Sequence, residues 1–335
     1  MGTAAKASFG SLRERIARAR ELSWRHFGRK ISFYAPSFVG YKNRYYRAPH
    51  GSFPSISITG RSCALNCGHC GGRILETMIP ATTPEKLIEA CREAKAKGAV
   101  GCLISGGCLP DGSVPIGRFV DAIAKVKRKL GLTVVAHTGL INADTARRLK
   151  EAGVDAVSID IIGSDETIRE VYNLQASTKD YEESLWALEH AGIPFTPHVL
   201  VGLHHGCLKG ELTALRMIAK HKPSALIIIV FFPIRKTRME NVKPPPPQTI
   251  AEILVEARFM MPRTPIALGC ARPKGVHRAK TDSLAVETGV NVVAFPSVEA
   301  IQKAEELGLE IMFSPVCCSL AYRDMMPMDT EKPGA

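Results

Sequence analysis

A regular alternation of short apolar runs with helical patterns constrains the fold of this chain more than any other feature. Eight β-branched or apolar stretches after residue 54 have the length of buried strands, and the seven segments between them have apolar residues at helical spacing. Some helical segments begin with a predicted N-cap, such as Asn142 or Asp180. Strands that alternate with helices build parallel sheets, so the sequence predicts an α/β fold, a (β/α)8 TIM-type barrel, with an open doubly wound sheet as the alternative. The predicted strands lie within 55–60, 100–107, 132–139, 155–163, 196–203, 225–232, 265–273 and 291–297.

The chain is longer than one barrel requires. It has 335 residues, whereas a TIM barrel takes about 250. Residues 1–52 are therefore predicted to be an N-terminal extension, with a basic amphipathic helix over 10–28 that packs on the barrel and an aromatic-rich loop over 29–52. Residues 53–322 are predicted to form the barrel, and 323–335 a flexible tail.

Targeting signals and cysteine usage indicate a reducing compartment. The first ten residues lack an apolar signal core, Lys6 stands where a myristoylation motif needs Ser or Thr, and no apolar run is long enough for a membrane span. We therefore expect a cytoplasmic protein. Its ten cysteines should stay reduced, and their clustering favours metal binding over disulfides. Cys91 in a helix and Cys102 in a strand are predicted to be buried small side chains.

The formal net charge of +12 predicts attraction to an acidic partner. The sequence contains no helix-turn-helix, RNP motif or paired zinc-finger spacing, so an acidic protein fits the charge as well as nucleic acid does.

Cys63, Cys67 and Cys70 form a C-x3-C-x2-C triplet directly after the first predicted strand. Catalytic groups of such barrels lie past the carboxyl ends of the strands, so this loop should lie at the barrel mouth. A closed zinc site would need a fourth ligand, and no matching pair follows. Three thiolates suit a [4Fe–4S] cluster with one open iron, while zinc or a purely redox cluster remains the alternative.

The triplet, with the aromatic His69 before its third cysteine, resembles the motif of the radical S-adenosylmethionine (SAM) enzymes. That resemblance implies that SAM binds the open iron and that one-electron reduction cleaves it to methionine and a 5′-deoxyadenosyl radical. Gly106 and Gly107 resemble the turn that meets the methionine amino group of SAM, although Cys108 replaces the acidic residue of the family. Catalytic side chains beyond cofactor binding are not identified.

Further residues resemble the cofactor-binding positions of biotin-synthase-like members. Ser158 and Asp160 occupy the ribose-binding position, and Gly202 belongs to the strand that runs beside adenine. Lys179 lies where those members carry an arginine for the SAM carboxylate, and lysine can pair there as a point charge. Packing at strand ends is the alternative role for each of these residues.

Three later cysteines, Cys270, Cys317 and Cys318, follow the last predicted strands and are predicted to hold an auxiliary [4Fe–4S] cluster. A pair of redox-silent cysteines, or one buried and one bound cysteine, is the alternative. The fourth ligand stays open among several groups: Cys108, Cys207, a serine such as Ser314 or Ser319, or no protein group.

Motifs from "FYAPSF" through "CGHCGGR", "GSDETIREVYNL", "HVLVGLHHG" and "LGCARPKG" to "CCS" resemble the archaeal-type two-protein lipoyl synthases. The resemblance implies sulfur insertion at C6 or C8 of an octanoyl chain, with the auxiliary cluster as sulfur donor. The implied partners are an acidic octanoylated lipoyl carrier protein, a paralogous radical SAM subunit and an electron donor such as ferredoxin, with no nucleic acid and no membrane. We expect the arginine-rich N-terminal helix to steer the carrier to the barrel mouth.

Two other functions remain open from the sequence. One is a carbon-skeleton enzyme of the methylornithine or hydrogenase-maturation type, which needs only the first cluster. The other is a non-catalytic barrel that binds zinc or a cluster and serves as a scaffold for an active paralogue.

Overall fold

The protein's structure is a computed structural model that describes residues 10–36 and 40–328. The predictions at Lys6, in the "SF" of "FYAPSF" and for the tail from residue 329 onward lie outside these residues. No helix in the described ranges is both long and apolar enough to cross a membrane.

A single parallel sheet of eleven strands forms the centre of the molecule. All eight predicted strands are present, and every neighbouring pair in the sheet is parallel. The strands are β1 Lys30–Tyr34, β2 Ser55–Ser57, β3 Ile79–Pro80, β4 Gly101–Ser105, β5 Thr133–His137, β6 Ala156–Asp160, β7 Phe195–Val201, β8 Leu226–Val230, β9 Ile266–Leu268, β10 Val292–Ala294 and β11 Glu310–Ser314.

The sheet curls without closing. Its order is β11-β1-β10-β9-β8-β7-β6-β5-β4-β2-β3, and the edge strands β3 and β11 do not pair with each other. The short helix Cys318–Leu320 nevertheless contacts both β6 and β10, which would lie about 19 Å apart in a flat sheet. The prediction of an α/β barrel-type fold is confirmed, and its form is an open, curled half-barrel.

Most of the α-helices cover the outer face of the sheet; the first lies at the amino ends of the strands and the last lies inside the half-barrel. The helices are α1 Leu12–Phe27, α2 Pro84–Ala96, α3 Val120–Leu130, α4 Ala143–Glu151, α5 Asp165–Tyr172, α6 Thr178–His190, α7 Glu211–Ala219, α8 Pro247–Met260, α9 Val276–Glu287, α10 Val298–Glu306 and α11 Ala321–Asp324. Asn142 caps α4 as predicted. The predicted cap at Asp180 is wrong: Ser177 is the N-cap of α6, and Asp180 completes a capping box three residues later.

The predicted loop over 29–52 is wrong at its start, where β1 inserts between β10 and β11. The aromatic, proline and glycine residues that follow dominated the sequence pattern, but Ile31 and Phe33 alternate toward one buried face and form a strand. Because β1 belongs to the central sheet, the predicted boundary at residue 52 does not separate two structural units.

The C-terminal segment from about residue 315 runs inside the half-barrel. Leu320, Ala321 and Met325 pack against inward residues of the strands, such as Val135 and Ile227. The segment also contacts the amino end of β6, where the Tyr322 hydroxyl donates to the Asp155 carbonyl at 2.7 Å. Within the described part of the predicted flexible tail, residues 323–328, Met325 is fully buried and anchors the segment, while most of the other residues are exposed.

Helix α1 lies at the amino ends of the strands. Arg20 donates to the carbonyl of Glu287 at the end of α9, and Arg29 donates to the carbonyl of Leu307 just after α10. Helices of βα units run antiparallel to the strands, so their last carbonyls lie at the end opposite the mouth. That this helix steers a partner to the mouth stays a prediction. In the structure its Arg20 binds the carboxyl end of α9.

Candidate active site

The cysteine loop, residues 62–73, follows β2 and lies at the carboxyl ends of the strands. The end of α5 fixes its backbone: Gly68 N–H donates to the Val171 carbonyl at 2.6 Å, and Asn173 Nδ2 donates to the carbonyl of Leu65 at 2.8 Å. Asn173 adopts the left-handed conformation at the C-cap of α5. A helix that ends at an asparagine thus supplies the amide that holds the cysteine loop.

A two-glycine turn after β4 forms the opposite side of the loop. A Cβ on Gly107 would lie 2.0 Å from the Ser62 carbonyl oxygen and 2.6 Å from Cβ of Cys63. The Gly107 N–H donates to Thr59 Oγ1 at 2.7 Å. Only glycine permits this backbone approach. Of the predicted pair, Gly107 is therefore in contact with the cysteine loop, and Gly106 lies against Thr59 just before that loop.

The triplet thiols are buried or half-buried and interact with one another. The hydrogen bond with Cys67 lowers the pKa of Cys70 despite the opposing effect of burial, and His69 adds to the lowering. The same hydrogen bond and burial raise the pKa of Cys67. One thiol thus retains a proton that its neighbour readily loses, and metal binding would displace that proton.

One cavity brings most of the predicted cofactor residues together. It is lined by all three triplet cysteines, His69, Gly106, Gly107 and Asp160. Its remaining wall is largely apolar, with Ile74, Leu75, Met78, Leu140 and Leu174. Cys108 also lines it, and burial raises the pKa of that thiol to about 12.

Three other predicted residues do not line this cavity. Ser158 is buried deeper in the half-barrel, and its hydroxyl lies 2.7 Å from Ser319 Oγ. Gly202 has a left-handed backbone, and a Cβ there would lie 2.6 Å from Pro245. Lys179 is exposed in the first turn of α6. Their cofactor roles stay predictions.

A half-buried group at the cavity consists of the predicted Asp160 and two histidines without a predicted role, His137 and His198. His137 Nε2 is 3.4 Å from Asp160 Oδ1, and the ring of His198 lies 5.8 Å from that of His137. Burial disfavours charge on both members of the pair, but their mutual attraction prevails. It raises the pKa of His137 and lowers that of Asp160. Burial lowers the pKa of His198 to about 4.

The sequence carried one signal for this group. His137 and His198 are polar residues at inward positions of otherwise apolar strands. Inward polar residues of a barrel strand are costly to bury and therefore point to a site. The register of β5, β6 and β7, which brings these residues together, is a tertiary property.

The second set of cysteines also converges. Cys318 hydrogen bonds with both Cys270 and Cys317. These bonds lower the pKa of Cys270 and bring that of Cys317 to about 7, while Cys318 keeps the shared protons and its pKa is raised. The three thiols come from the loop after β9 and from the segment inside the half-barrel, almost fifty residues later in the chain.

Most of the predicted fourth ligands lie elsewhere. Cys108 lines the triplet cavity, Cys207 is exposed in the loop after β7, and Ser314 ends the edge strand β11. Ser319 is the candidate beside the group, with its hydroxyl 3.6 Å from Cys317 Sγ. As predicted, Cys91 and Cys102 are fully buried.

The donor sets suit iron–sulfur clusters. Each set offers three soft thiols, at least one of which has a lowered pKa, and the glycine turn lets the backbone approach Cys63 more closely than a side chain would permit. Cys63, Cys67 and Cys70 would hold a cluster that opens into the apolar-walled cavity.

Comparison with known proteins supports the same assignment. Residues 57–206 match the model of the Radical SAM superfamily. The chain is 28% identical over 226 residues to biotin synthase 2 of Polaromonas sp., an alignment that covers 65% of this chain and 64% of that protein. It is 26% identical over 231 residues to the biotin synthase of Cenarchaeum symbiosum, covering 66% and 70%.

Among solved structures, the fold resembles that of methylornithine synthase (PylB), with a TM-score of 0.61, 17% identity and 91% of each chain covered. This likeness concerns the fold. The alignment with the Polaromonas enzyme spans less than two thirds of that protein's length. The cysteine loop, the glycine turn beside it, the match over residues 57–206 and these relatives support a radical SAM, biotin-synthase-like protein.

Proposed function

We propose that this protein is a radical SAM sulfurtransferase that inserts sulfur at C6 or C8 of a protein-bound octanoyl chain, in assembly of the lipoyl cofactor. The observation that carries the proposal is the second thiol group, Cys270, Cys317 and Cys318, in the same half-barrel interior as the triplet. A radical enzyme that only rearranges carbon has no need of it. The biotin synthase relatives support sulfur insertion in general.

Each part of the site has a role in this proposal. A cluster on the triplet, with bound SAM, would supply the 5′-deoxyadenosyl radical that removes hydrogen from the alkyl chain. The apolar wall formed by Ile74, Leu75, Met78 and their neighbours suits an alkyl chain and excludes water from a reactive carbon radical. Cys270, Cys317 and Cys318 would hold the auxiliary [4Fe–4S] cluster that donates sulfur.

The partners in this proposal are an acidic octanoylated lipoyl carrier protein and a paralogous radical SAM subunit that makes the other C–S bond. The net charge of +12 suits an acidic carrier. The runner-up is a carbon-skeleton enzyme, favoured by the likeness in fold to methylornithine synthase.

Cysteine replacement with iron analysis tests the proposal. After anaerobic reconstitution, the wild-type protein should bind about eight irons and Cys317→Ala/Cys318→Ala about four. With an octanoylated carrier, that variant should still form 5′-deoxyadenosine but no C–S bond, as measured by mass spectrometry. Cys207→Ala, which replaces an exposed thiol, is the control and should keep both activities.

Two results would contradict the proposal. About four irons in the wild-type protein would favour the carbon-skeleton enzyme, and stoichiometric zinc would favour a scaffold. Thiolated product from Cys317→Ala/Cys318→Ala would show that the sulfur comes from elsewhere.

A further inference from the structure

The loop after β8, residues 233–243, is strongly basic. Here it is called the basic loop. It exposes four cations, Arg235, Lys236, Arg238 and Lys243. None of the four takes part in an ion pair within the described residues. Its single acid, Glu240, accepts from the backbone N–H of Lys236. Four unpaired charges on a short segment form a positive patch.

The basic loop packs directly on the cysteine loop. Met239 N–H donates to the Gly68 carbonyl at 3.2 Å, and Arg238 Nη2 lies 3.3 Å from the Asn66 carbonyl oxygen. The Met239 side chain is 1% exposed and anchors the contact. Asn66 is exposed and immediately precedes Cys67, so the patch lies on the outer surface of the triplet.

The patch is separate from the cavity that SAM and substrate would enter. None of its four cations lines that cavity, whereas the triplet cysteines do. A carrier protein must deliver its alkyl chain into the cavity. A partner that only needs to come close to the triplet from outside can use the patch without blocking the cavity.

Radical formation requires such a partner. Cleavage of the sulfonium cation of SAM into a neutral thioether, methionine, and a carbon radical consumes one electron for each C–S bond broken. The chain must therefore receive one electron from an external reductant for each SAM molecule that is cleaved and not re-formed at the end of the reaction. Electron transfer is fastest over short distances, and the basic loop contacts Asn66 and Gly68, the two residues that flank Cys67.

We propose that the basic loop is the docking surface for an acidic one-electron carrier protein that reduces the cluster held by Cys63, Cys67 and Cys70. In this exchange the carrier loses one electron and the cluster gains it, and the electron ends in methionine when the C–S bond of SAM breaks. Complementary charge would speed the encounter, and Arg238 and Asn66 would lie at the contact. The proposal depends on the radical SAM assignment and holds whether or not the product contains sulfur.

Charge reversal with a matched control tests the proposal. The variant Arg235→Glu/Lys236→Glu/Arg238→Glu, the patch variant, reverses three of the four charges of the patch. The control Arg13→Glu/Arg18→Glu/Arg25→Glu makes the same change in net charge on exposed residues of α1, at the far end of the molecule. Both are reconstituted with iron and sulfide, and cluster reduction is followed by stopped-flow absorbance without substrate.

With reduced bacterial ferredoxin as the acidic donor, the patch variant should be reduced roughly tenfold or more slowly than wild type at low salt, and the control within about twofold. With reduced methyl viologen, a small cation, the patch variant should be no slower than wild type. Raising the salt should slow the wild type toward the patch variant.

Several results would overturn the inference. They are an unchanged ferredoxin rate in the patch variant, an equal loss in the α1 control, or a loss that also appears with methyl viologen. Normal reduction combined with a raised KM for the lipoyl carrier would assign the patch to the carrier instead. Because no substrate is present during reduction, failure of the sulfur-insertion proposal would leave these outcomes unaffected.

Discussion

Gly107 shows how a single residue without a side chain can fix a cluster site. Its backbone N–H donates to Thr59 Oγ1. Its Cα lies so close to the Ser62 carbonyl and to Cys63 that a Cβ would clash with both. The main-chain contact therefore sets where Cys63 stands relative to Cys67 and Cys70. Because this position of Cys63 requires that residue 107 has no Cβ, even a substitution by alanine should disturb it.

Gly107→Ala should displace the cysteine loop and lower the iron bound at the triplet while the chain still folds. Its Cβ would lie 2.0 Å from the Ser62 oxygen, and backbone on both sides cannot yield without moving Cys63. Iron content and far-UV circular dichroism measure the two effects. Gly117→Ala, whose nearest neighbour would be 3.7 Å away, is the control. Wild-type iron content in Gly107→Ala would contradict this account.

At the scale of elements, a buried ion pair connects the loop of Cys270 to the helices that follow. Arg272 donates from Nε and Nη2 to the carboxylate of Asp282 in α9, at 2.6 and 2.9 Å, and both side chains are fully buried. Arg272 also donates to the Gly269 carbonyl, and Asp282 accepts from the Ser297 N–H. The pair thus ties β9, α9 and the start of α10 together.

Asp282→Asn should lower the free energy of unfolding by about 3–5 kcal/mol, because it leaves the Arg272 guanidinium buried without its counter-charge. Urea unfolding measures this change. The same replacement at Asp144, which pairs with Arg147 on the surface of α4, should cost below about 1 kcal/mol. Equal effects at the two positions would mean that burial of the Arg272 pair contributes nothing.

At the scale of the whole molecule, the ion pair of His137 and Asp160 interacts with groups around both sets of cysteines. His137 and Asp160 line the triplet cavity, and the charges of Cys317 and Cys270 also act on His137. The charge state of this pair therefore affects the stability of the entire fold.

His137 has a raised pKa, so its contribution to stability is complete below its unfolded pKa of about 6.5 and is lost as the pH rises through the folded value. Asp160 has a lowered pKa, so its contribution is complete above about 3.8 and is lost as the pH falls. In the metal-free reduced protein, His137→Gln should lower the urea midpoint most between about pH 4 and 6.5.

The difference from wild type should shrink as the pH rises through the raised pKa of His137, where the imidazole of the wild type loses its proton. His50→Gln, at an exposed histidine, is the control and should follow the wild-type profile. A constant difference between His137→Gln and wild type across the range would mean that packing, rather than charge, accounts for the loss.

The sequence by itself determined the features that depend on neighbours along the chain. Eight strands, most helices, the triplet spacing and the glycine turn were predicted because periodicity and ligand spacing are local. Strand β1 was missed because a five-residue alternation was too short to stand out from the aromatic residues after it.

Only the tertiary structure decided where distant segments meet. The last strands leave the sheet open, the segment with Cys317 and Cys318 enters the half-barrel to reach Cys270, and α1 packs at the amino ends of the strands. The basic loop likewise joins the cysteine loop across more than 160 residues of chain. These placements depend on the curvature of the sheet and on the burial of apolar faces against one another. Both involve segments that are far apart in the sequence, so no local pattern predicts them.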